Sequence, residues 1–361
     1  MANQPVGKTM PVASTSPADE NLLEVRDLRM YFPVRHGVFA QVTGYVKAVD
    51  GVSFNIKRGE TLGLVGESGC GKSTIGRCIV RAYEITSGQM LYHQQNGQVD
   101  DLGHLPADRL RLLRKDIRMI FQDPYSSLNP RMTVFDNISE ALQVNNEMSR
   151  SDIRDRVAYL LKRVGLHPEY MSRYPHAFSG GERQRIVVAR ALVTNPRLIV
   201  ADEAVSALDV SIRAQILNLL EELQEEFQLT YLFISHDLGV IRHICDRVAV
   251  MYVGKLVETA SIDDLYHHPK HPYTEALLSS VPISNPRQRG SRNQIQMTGD
   301  VADPSNPPSG CYFHPRCSYA QDKCTQTEPS LLPVRGSGAE HFAACHFVDD
   351  LTLRGVIQDE A

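Results

Sequence analysis

An α/β fold built on a largely parallel sheet is the class this sequence predicts, and three observations carry that expectation. The short apolar runs Thr61–Val65, Leu198–Ala201 and Tyr231–Ile234 are continuous rather than alternating, as parallel strands covered on both faces require. Longer amphipathic stretches separate such runs from Leu22 onward. A glycine-rich turn joins the first of them to an amphipathic stretch beginning near Lys72, which is the strand–turn–helix order of a phosphate-binding loop.

Taken in chain order, residues 1–21 are rich in Pro, Ser, Thr and Ala and read as a mobile tail outside the fold. The turn that follows Val65 runs Gly66, Glu67, Ser68, Gly69, Cys70, Gly71, Lys72, Ser73 and fits G-x-x-x-x-G-K-[ST]. Its glycines let successive backbone N–H groups face phosphate oxygens, and the helix start adds partial positive charge. Lys72 is expected on the β- and γ-phosphates, Ser73 on Mg²⁺, and Thr74 near the α-phosphate. Cys70 reads as a small residue that fits. A chance glycine turn is the plain alternative, and the flanking strand and helix argue against it.

The stretch Asp108–Leu166 is charged and helical in pattern, without strand-like runs, and predicts a helical subdomain inserted into the core over about 108–195. Leu198–Ala201 then ends in Asp202 and Glu203, two carboxylates at the C-terminal end of a buried strand, where open parallel sheets bind ligands. Asp202 is expected to hold Mg²⁺ and Glu203 to polarise an attacking water. Between Val210 and Phe227 the residues Ile212, Ile216, Leu219, Leu220, Leu223 and Phe227 recur at helical spacing. Beyond Pro269 the composition changes, with a Pro- and Asn-rich linker through Asp303–Gly310 and then Cys311, Cys317, Cys324 and Cys345 on a small appended module.

Composition narrows the function. With 361 residues and 42% apolar content, the chain can bury a substantial core. A net charge of −4 without a basic run supplies no footprint for nucleic acid. There is no unbroken apolar run of about 18 residues and no apolar segment near the start, which predicts a cytosolic chain that meets any membrane through a partner. In a reducing compartment, four late cysteines suggest a metal or cluster site before disulfides, although their spacing fits neither a common zinc ribbon nor a common ferredoxin run.

Further residues are more specific. Phe178–Arg185, containing Ser179, Gly180, Gly181 and Glu182, resembles the LSGGQ signature of ABC ATPases, with Glu182 where the family commonly has Gln. Gln122 matches the Q-loop glutamine, Asp209 in Ser206–Asp209 the D-loop, and His236 the switch histidine; Phe32, before Pro33, is favoured over Tyr31 for adenine stacking. Gly66–Thr74, Phe121–Pro130, Ala207–Ser211 and His271–Leu278 are most similar to ATP-binding subunits of dipeptide and oligopeptide permeases, and the chain resembles the second, F-type, subunit of such pairs. The resemblance implies an ABC-type P-loop NTPase core over 22–268, an inserted helical subdomain, and a C-terminal peptide-transporter extension over 269–361.

It implies function as well. Gln122 would touch Mg²⁺ and the attacking water, His236 the γ-phosphate, and the signature would cap ATP held by a second cassette. Expected partners are a paralogous ATPase, two transmembrane permease subunits and an extracytoplasmic peptide-binding protein, and the expected location is the cytoplasmic face of a bacterial plasma (inner) membrane. The segment Tyr125–Arg131 would receive the coupling helices of the membrane subunits. Here too the resemblance, not the spacing, implies a [4Fe-4S] cluster on Cys311, Cys317, Cys324 and Cys345, with zinc or free thiols as the other readings. Import of another solute, such as nickel or glutathione, and a non-hydrolysing partner in a heterodimer are the alternatives. Glu182 bears on the second, because it could weaken the contact with phosphate; Ala204, in place of the usual proline, implies only a looser turn.

Overall fold

The computed structural model describes residues 21–37, 40–143, 148–281, 295–338 and 340–355. Apart from Asn21, the expected N-terminal tail lies outside them.

Two sheets organise the chain. Strands β1 (Asn21–His36), β2 (Gln41–Lys57), β4 (Ser87–His93) and β5 (Val99–Asp101) form an antiparallel sheet in the order β2-β1-β4-β5. The second sheet has eight strands. Its centre is parallel, with β9 (Arg247–Tyr252), β3 (Thr61–Val65), β8 (Thr230–Ile234), β7 (Leu198–Asp202) and β6 (Ile117–Ile120) side by side. Three antiparallel strands extend it beyond β9: β10 (Lys255–Ser261), β12 (Phe342–Ala343) and β11 (Leu332–Pro333).

The burial pattern explains the continuous apolar runs. Ile199, Ala201, Tyr231 and Phe233 face one core cluster, shared with the helices, while Leu198, Val200, Leu232 and Ile234 face a second, shared with the antiparallel sheet. Every residue of β3, β7 and β8 is buried, so no polar face is left to alternate. The α/β class expected from the sequence is the one observed.

Eleven α-helices complete the described residues: α1 (Lys72–Ile79), α2 (Ala107–Leu113), α3 (Pro124–Ser127), α4 (Val134–Gln143), α5 (Arg150–Arg163), α6 (Gly180–Leu192), α7 (Val210–Phe227), α8 (Leu238–Ile244), α9 (Ile262–His267), α10 (Pro272–Ser279) and α11 (Asp322–Gln326). The region expected to be wholly helical contains a strand. Ile117–Ile120 pairs in parallel with Leu198–Ala201 at the sheet edge, so these four residues belong to the main sheet. Only Ile117 and Ile120 of this strand are buried, and four residues with Arg118 among them are too few for either strand signature to stand out.

The C-terminal region packs onto the main sheet. It adds β11 and β12 to the free edge of β10, covering backbone groups that would otherwise stay unpaired, and places Phe313 in the main core at 3% exposure.

Candidate nucleotide site at the strand ends

The phosphate loop sits between β3 and α1, and two glycines are required by its close packing. A Cβ on Gly66 (φ 151°) would lie 2.1 Å from the Met251 carbonyl oxygen, and one on Gly71 (φ 107°) would lie 2.0 Å from that of Ala48. Lys72 is 4% exposed and folds back over the loop, its Nζ donating to the carbonyls of Gly66 at 2.8 Å and Glu67 at 2.9 Å. Ser68 and Gly69 are exposed, and Ser73 and Thr74 are half-buried in the first turn of α1. Cys70 is buried, which pushes its thiol pKa up and suppresses the thiolate.

Asp202 closes β7 and accepts a 2.7 Å hydrogen bond from the Ser73 hydroxyl. Burial raises its carboxyl pKa above the ordinary value, against the lowering effects of Ser73, Arg77 and Lys72. These two oxygen groups, joined across the strand–loop junction, form a hard donor pair suited to Mg²⁺.

Glu203 follows with φ 49°, a left-handed backbone that costs a non-glycine residue conformational energy and is typical of functional turns. Its N–H donates to the Ile234 carbonyl at 2.9 Å. The side chain is bracketed: Gln122 Nε2 donates to Oε2 at 2.9 Å, and His236 Nδ1 lies 3.2 Å from Oε1. Gln122, Glu203 and His236 follow β6, β7 and β8, so three neighbouring parallel strands deliver them to one point.

Ser179 caps α6. Its hydroxyl accepts from the Glu182 N–H, and the Glu182 carboxylate accepts from the Ser179 N–H at 2.9 Å, a reciprocal capping box. Those hydrogen bonds, the backbone one first, hold the Glu182 pKa below its usual value. The acid that departs from the expected signature thus folds back on its own helix start. Gly181 lets α6 approach α7, since a Cβ there would meet Ile212 Cγ2 at 2.7 Å. Asp209 stands exposed at the N-cap of α7 without a side-chain capping bond, next to Val210 at 78% exposure. Phe32 packs edge-on against Tyr83, with ring centroids 5.4 Å apart.

The exposed loop after Gln122 is organised from below. Asn137, 2% exposed, donates to the carbonyls of Asn129, Met132 and Thr133 and accepts from the Asn129 N–H. Above it, Tyr125 is 65% exposed and its ring lies 4.0 Å from the Arg183 guanidinium carbon, linking this surface to α6.

Sequence reasoning missed Asn137, and also Tyr273 and Arg316, both of which contact Glu67 in the phosphate loop. The only available signal was the His271–Leu278 stretch; nothing local marks Arg316.

The cysteine expectation is corrected. Cys311, Cys317, Cys324 and Cys345 line one cavity of about 20 Å³, room for roughly one water, with Phe313, Phe347 and Leu351 among the other walls. Among the described residues, no group of three or more His, Cys, Asp or Glu side chains is placed to hold a metal ion. Burial pushes the Cys311 thiol up to about 11 and that of Cys317 up to about 12, so both stand protonated in the cavity wall. The four residues are free thiols in the wall of an apolar cavity, and the iron–sulfur and metal-binding assignments are withdrawn.

Comparison with known proteins adds independent findings. The profile of the family described as ABC transporter matches residues 49–206, and that described as oligopeptide/dipeptide transporter, C-terminal region, matches residues 257–324. The oligopeptide transport ATP-binding protein AppF of Bacillus subtilis is 54% identical over 92% of this chain and 99% of its own length. OppF of Salmonella typhimurium, an oligopeptide transport ATP-binding protein, is 49% identical over 91% of this chain and 97% of its own. The dipeptide transport ATP-binding protein DppF of Escherichia coli is 47% identical over 91% and 95%. Among solved structures, a dimeric post-hydrolysis state of the ATP-binding cassette MJ0796 bound to ADP and Pi superposes with a TM-score of 0.58 at 29% identity, over 66% of this chain and 98% of that one.

Proposed function

The chain belongs to the ABC transporter family as an ATP-hydrolysing, ATP-binding protein, and from that premise we propose that it energises import of dipeptides or oligopeptides as the F-type ATPase of a pair. The observation that supports this most directly is the Glu203 carboxylate, held between Gln122 and His236 beside the Lys72 loop. Residues 22–268 are read as the ATPase domain and 269–361 as the peptide-transporter extension.

In this reading the backbone N–H groups of Gly66 and of Ser68–Ser73 receive the phosphates, and Lys72 Nζ exchanges its two carbonyl partners for β- and γ-phosphate oxygens. Phe32 stacks on adenine and Thr74 binds near the α-phosphate. Ser73, Asp202 and Gln122 would hold Mg²⁺, which would supply positive charge to offset that of the phosphates. Glu203 accepts a proton from the water that attacks the γ-phosphorus, while the bond to the bridging oxygen breaks to release ADP and phosphate. His236 contacts the γ-phosphate, and its hydrogen bond also orients Glu203.

The N-terminus of α6, with Ser179, Gly180, Gly181 and Glu182, caps ATP on a paralogous cassette, and Asp209 crosses the same interface. The surface at Tyr125–Arg131 receives two transmembrane permease subunits, so closure of the cassettes moves the pore. An extracytoplasmic peptide-binding protein delivers solute, and this subunit lies peripherally on the cytoplasmic face of a bacterial plasma membrane. No helix among the described residues is long and apolar enough to cross a membrane, which fits contact through partners.

The test is Glu203→Gln in the assembled complex. The amide keeps the size of the side chain but cannot accept the water proton, so ATP should bind while turnover falls by at least about a hundredfold. Steady-state ATPase activity equal to wild type would overturn the assignment.

A further inference from the structure

The phosphate loop contains a carboxylate that its expected ligand would repel. Glu67 directly follows Gly66, within a segment read above as the seat of a triphosphate. The nearest cation in sequence, Lys72, is bonded to the Glu67 carbonyl rather than to its carboxylate. Both carboxylate oxygens are instead matched from 249 residues away: Arg316 donates from one guanidinium nitrogen to Oε2 at 2.7 Å and from the other to Oε1 at 3.0 Å. The two side chains are 7% and 22% exposed, a fork-to-fork pair largely withdrawn from water. The hydrogen bonds to Glu67 raise the guanidinium pKa further, so the charge is permanent.

The backbone of Glu67 is fastened as well. Its N–H donates to the phenol oxygen of Tyr273 at 2.9 Å, and Tyr273 is fully buried. Tyr273, Tyr252 and Phe313 form a closed set of rings with centroids 4.8, 5.2 and 5.3 Å apart. Tyr252 ends β9, directly after the Met251 carbonyl on which Gly66 packs, and Phe313 lies three residues before Arg316. A continuous set of contacts therefore runs from the C-terminal region through the ring cluster to the first half of the phosphate loop.

We propose that Arg316, supported by Tyr273, is a positioning residue for ATP binding: it neutralises Glu67 and holds it against the C-terminal region, so that the loop presents its N–H groups and Lys72 without a competing acid. This rests on the ATP-site reading above. The effect falls on nucleotide affinity rather than on the chemical step, because Gln122, Glu203 and His236 lie on other strand ends.

Binding of N-methylanthraniloyl-ATP with magnesium, measured on the full chain in its assembled complex, tests the idea. Arg316→Ala should weaken binding about tenfold, the scale of one unscreened charge several ångströms from the phosphates. The KM for ATP should rise in parallel, with kcat at saturating ATP unchanged. Adding Glu67→Gln to Arg316→Ala should restore affinity to within about twofold of wild type, although the ion pair is still missing. Glu67→Gln alone should bind no more weakly than wild type.

A contact that merely anchors the C-terminal region would behave differently, because the double variant would then remain as weak as Arg316→Ala. That result, or wild-type affinity in Arg316→Ala, overturns the proposal. So does weakened binding in Glu67→Gln alone, an arm that stands even if Arg316→Ala fails to fold. Failure of the wild-type complex to bind the probe would remove the ATP-site reading itself, which distinguishes the two.

Discussion

Replacing His341 by alanine should loosen the C-terminal region from the core by an amount that the local geometry sets. His341 and Glu258 have side chains at 0% exposure, with His341 Nε2 2.8 Å from Glu258 Oε1. The carboxylate also accepts the backbone N–H groups of Lys270 at 2.7 Å and His271 at 2.9 Å, while His341 Nδ1 lies 2.7 Å from Ser337 Oγ. Alanine therefore removes one of three donors to a fully buried acid. A hydrogen bond to a charged group contributes about 1.5–3 kcal/mol, and the void left by the imidazole adds to that. The backbone donors that remain keep the loss below the cost of fully unpairing a buried charge, about 3–5 kcal/mol.

A loss of about 2–4 kcal/mol corresponds to a fall in unfolding midpoint of roughly 3–5 °C for a chain of 361 residues. Differential scanning calorimetry reads the midpoint, and trypsin should cut earlier in the segment that carries β11 and β12. His341→Gln, which keeps a donor near Glu258, should lose less. A midpoint within about 1 °C of wild type in His341→Ala, with an unchanged digestion pattern, would refute the reasoning and mean that two backbone donors suffice for Glu258.

Other outcomes follow from the same structure. His271 is 2% exposed, and burial lowers its pKa from 6.5 to about 3. The unfolded chain therefore binds a proton that the folded chain refuses, and stability should fall as pH drops from about 6.5 towards 3, by up to about 1.4 kcal/mol per pH unit from this group. His271 Nδ1 accepts the Tyr273 N–H at 3.1 Å, so His271→Asn keeps an acceptor there and should flatten this acid limb in pH-dependent urea unfolding. At the start of α6, Ser179→Ala and Glu182→Ala should each cost about 1 kcal/mol of stability. Because the two side chains form one capping box, the double variant should lose less than the sum, and a thermodynamic cycle that is strictly additive would contradict the reciprocal pairing.

The parts of the molecule that were legible in the sequence are those with local causes. Thr61–Val65 showed itself as a doubly covered strand through unbroken apolarity, and Val210–Phe227 as a helix through its spacing. Gln122, Glu203 and His236 could be named one by one, and the order of β6, β7 and β8 is what brings their side chains together. Ile117–Ile120 was passed over because an edge strand of four residues with one arginine carries no clear period. The cysteines misled for the opposite reason. Clustering in sequence suggested a shared ligand, whereas the fold surrounds the four thiols with a small apolar cavity and raises the pKa of Cys311, Cys317 and Cys345.

By itself the sequence determined the α/β class, the phosphate loop and the acidic strand end, because backbone period, glycine freedom and residue chemistry all act over a few neighbouring positions. Tertiary structure alone decided that the C-terminal region completes the main sheet, that His341 satisfies Glu258, and that Arg316 meets Glu67. The physical reason is distance along the chain: a charge pair closed across hundreds of residues leaves no local pattern, and its partners become neighbours only when the core that separates them in sequence has packed.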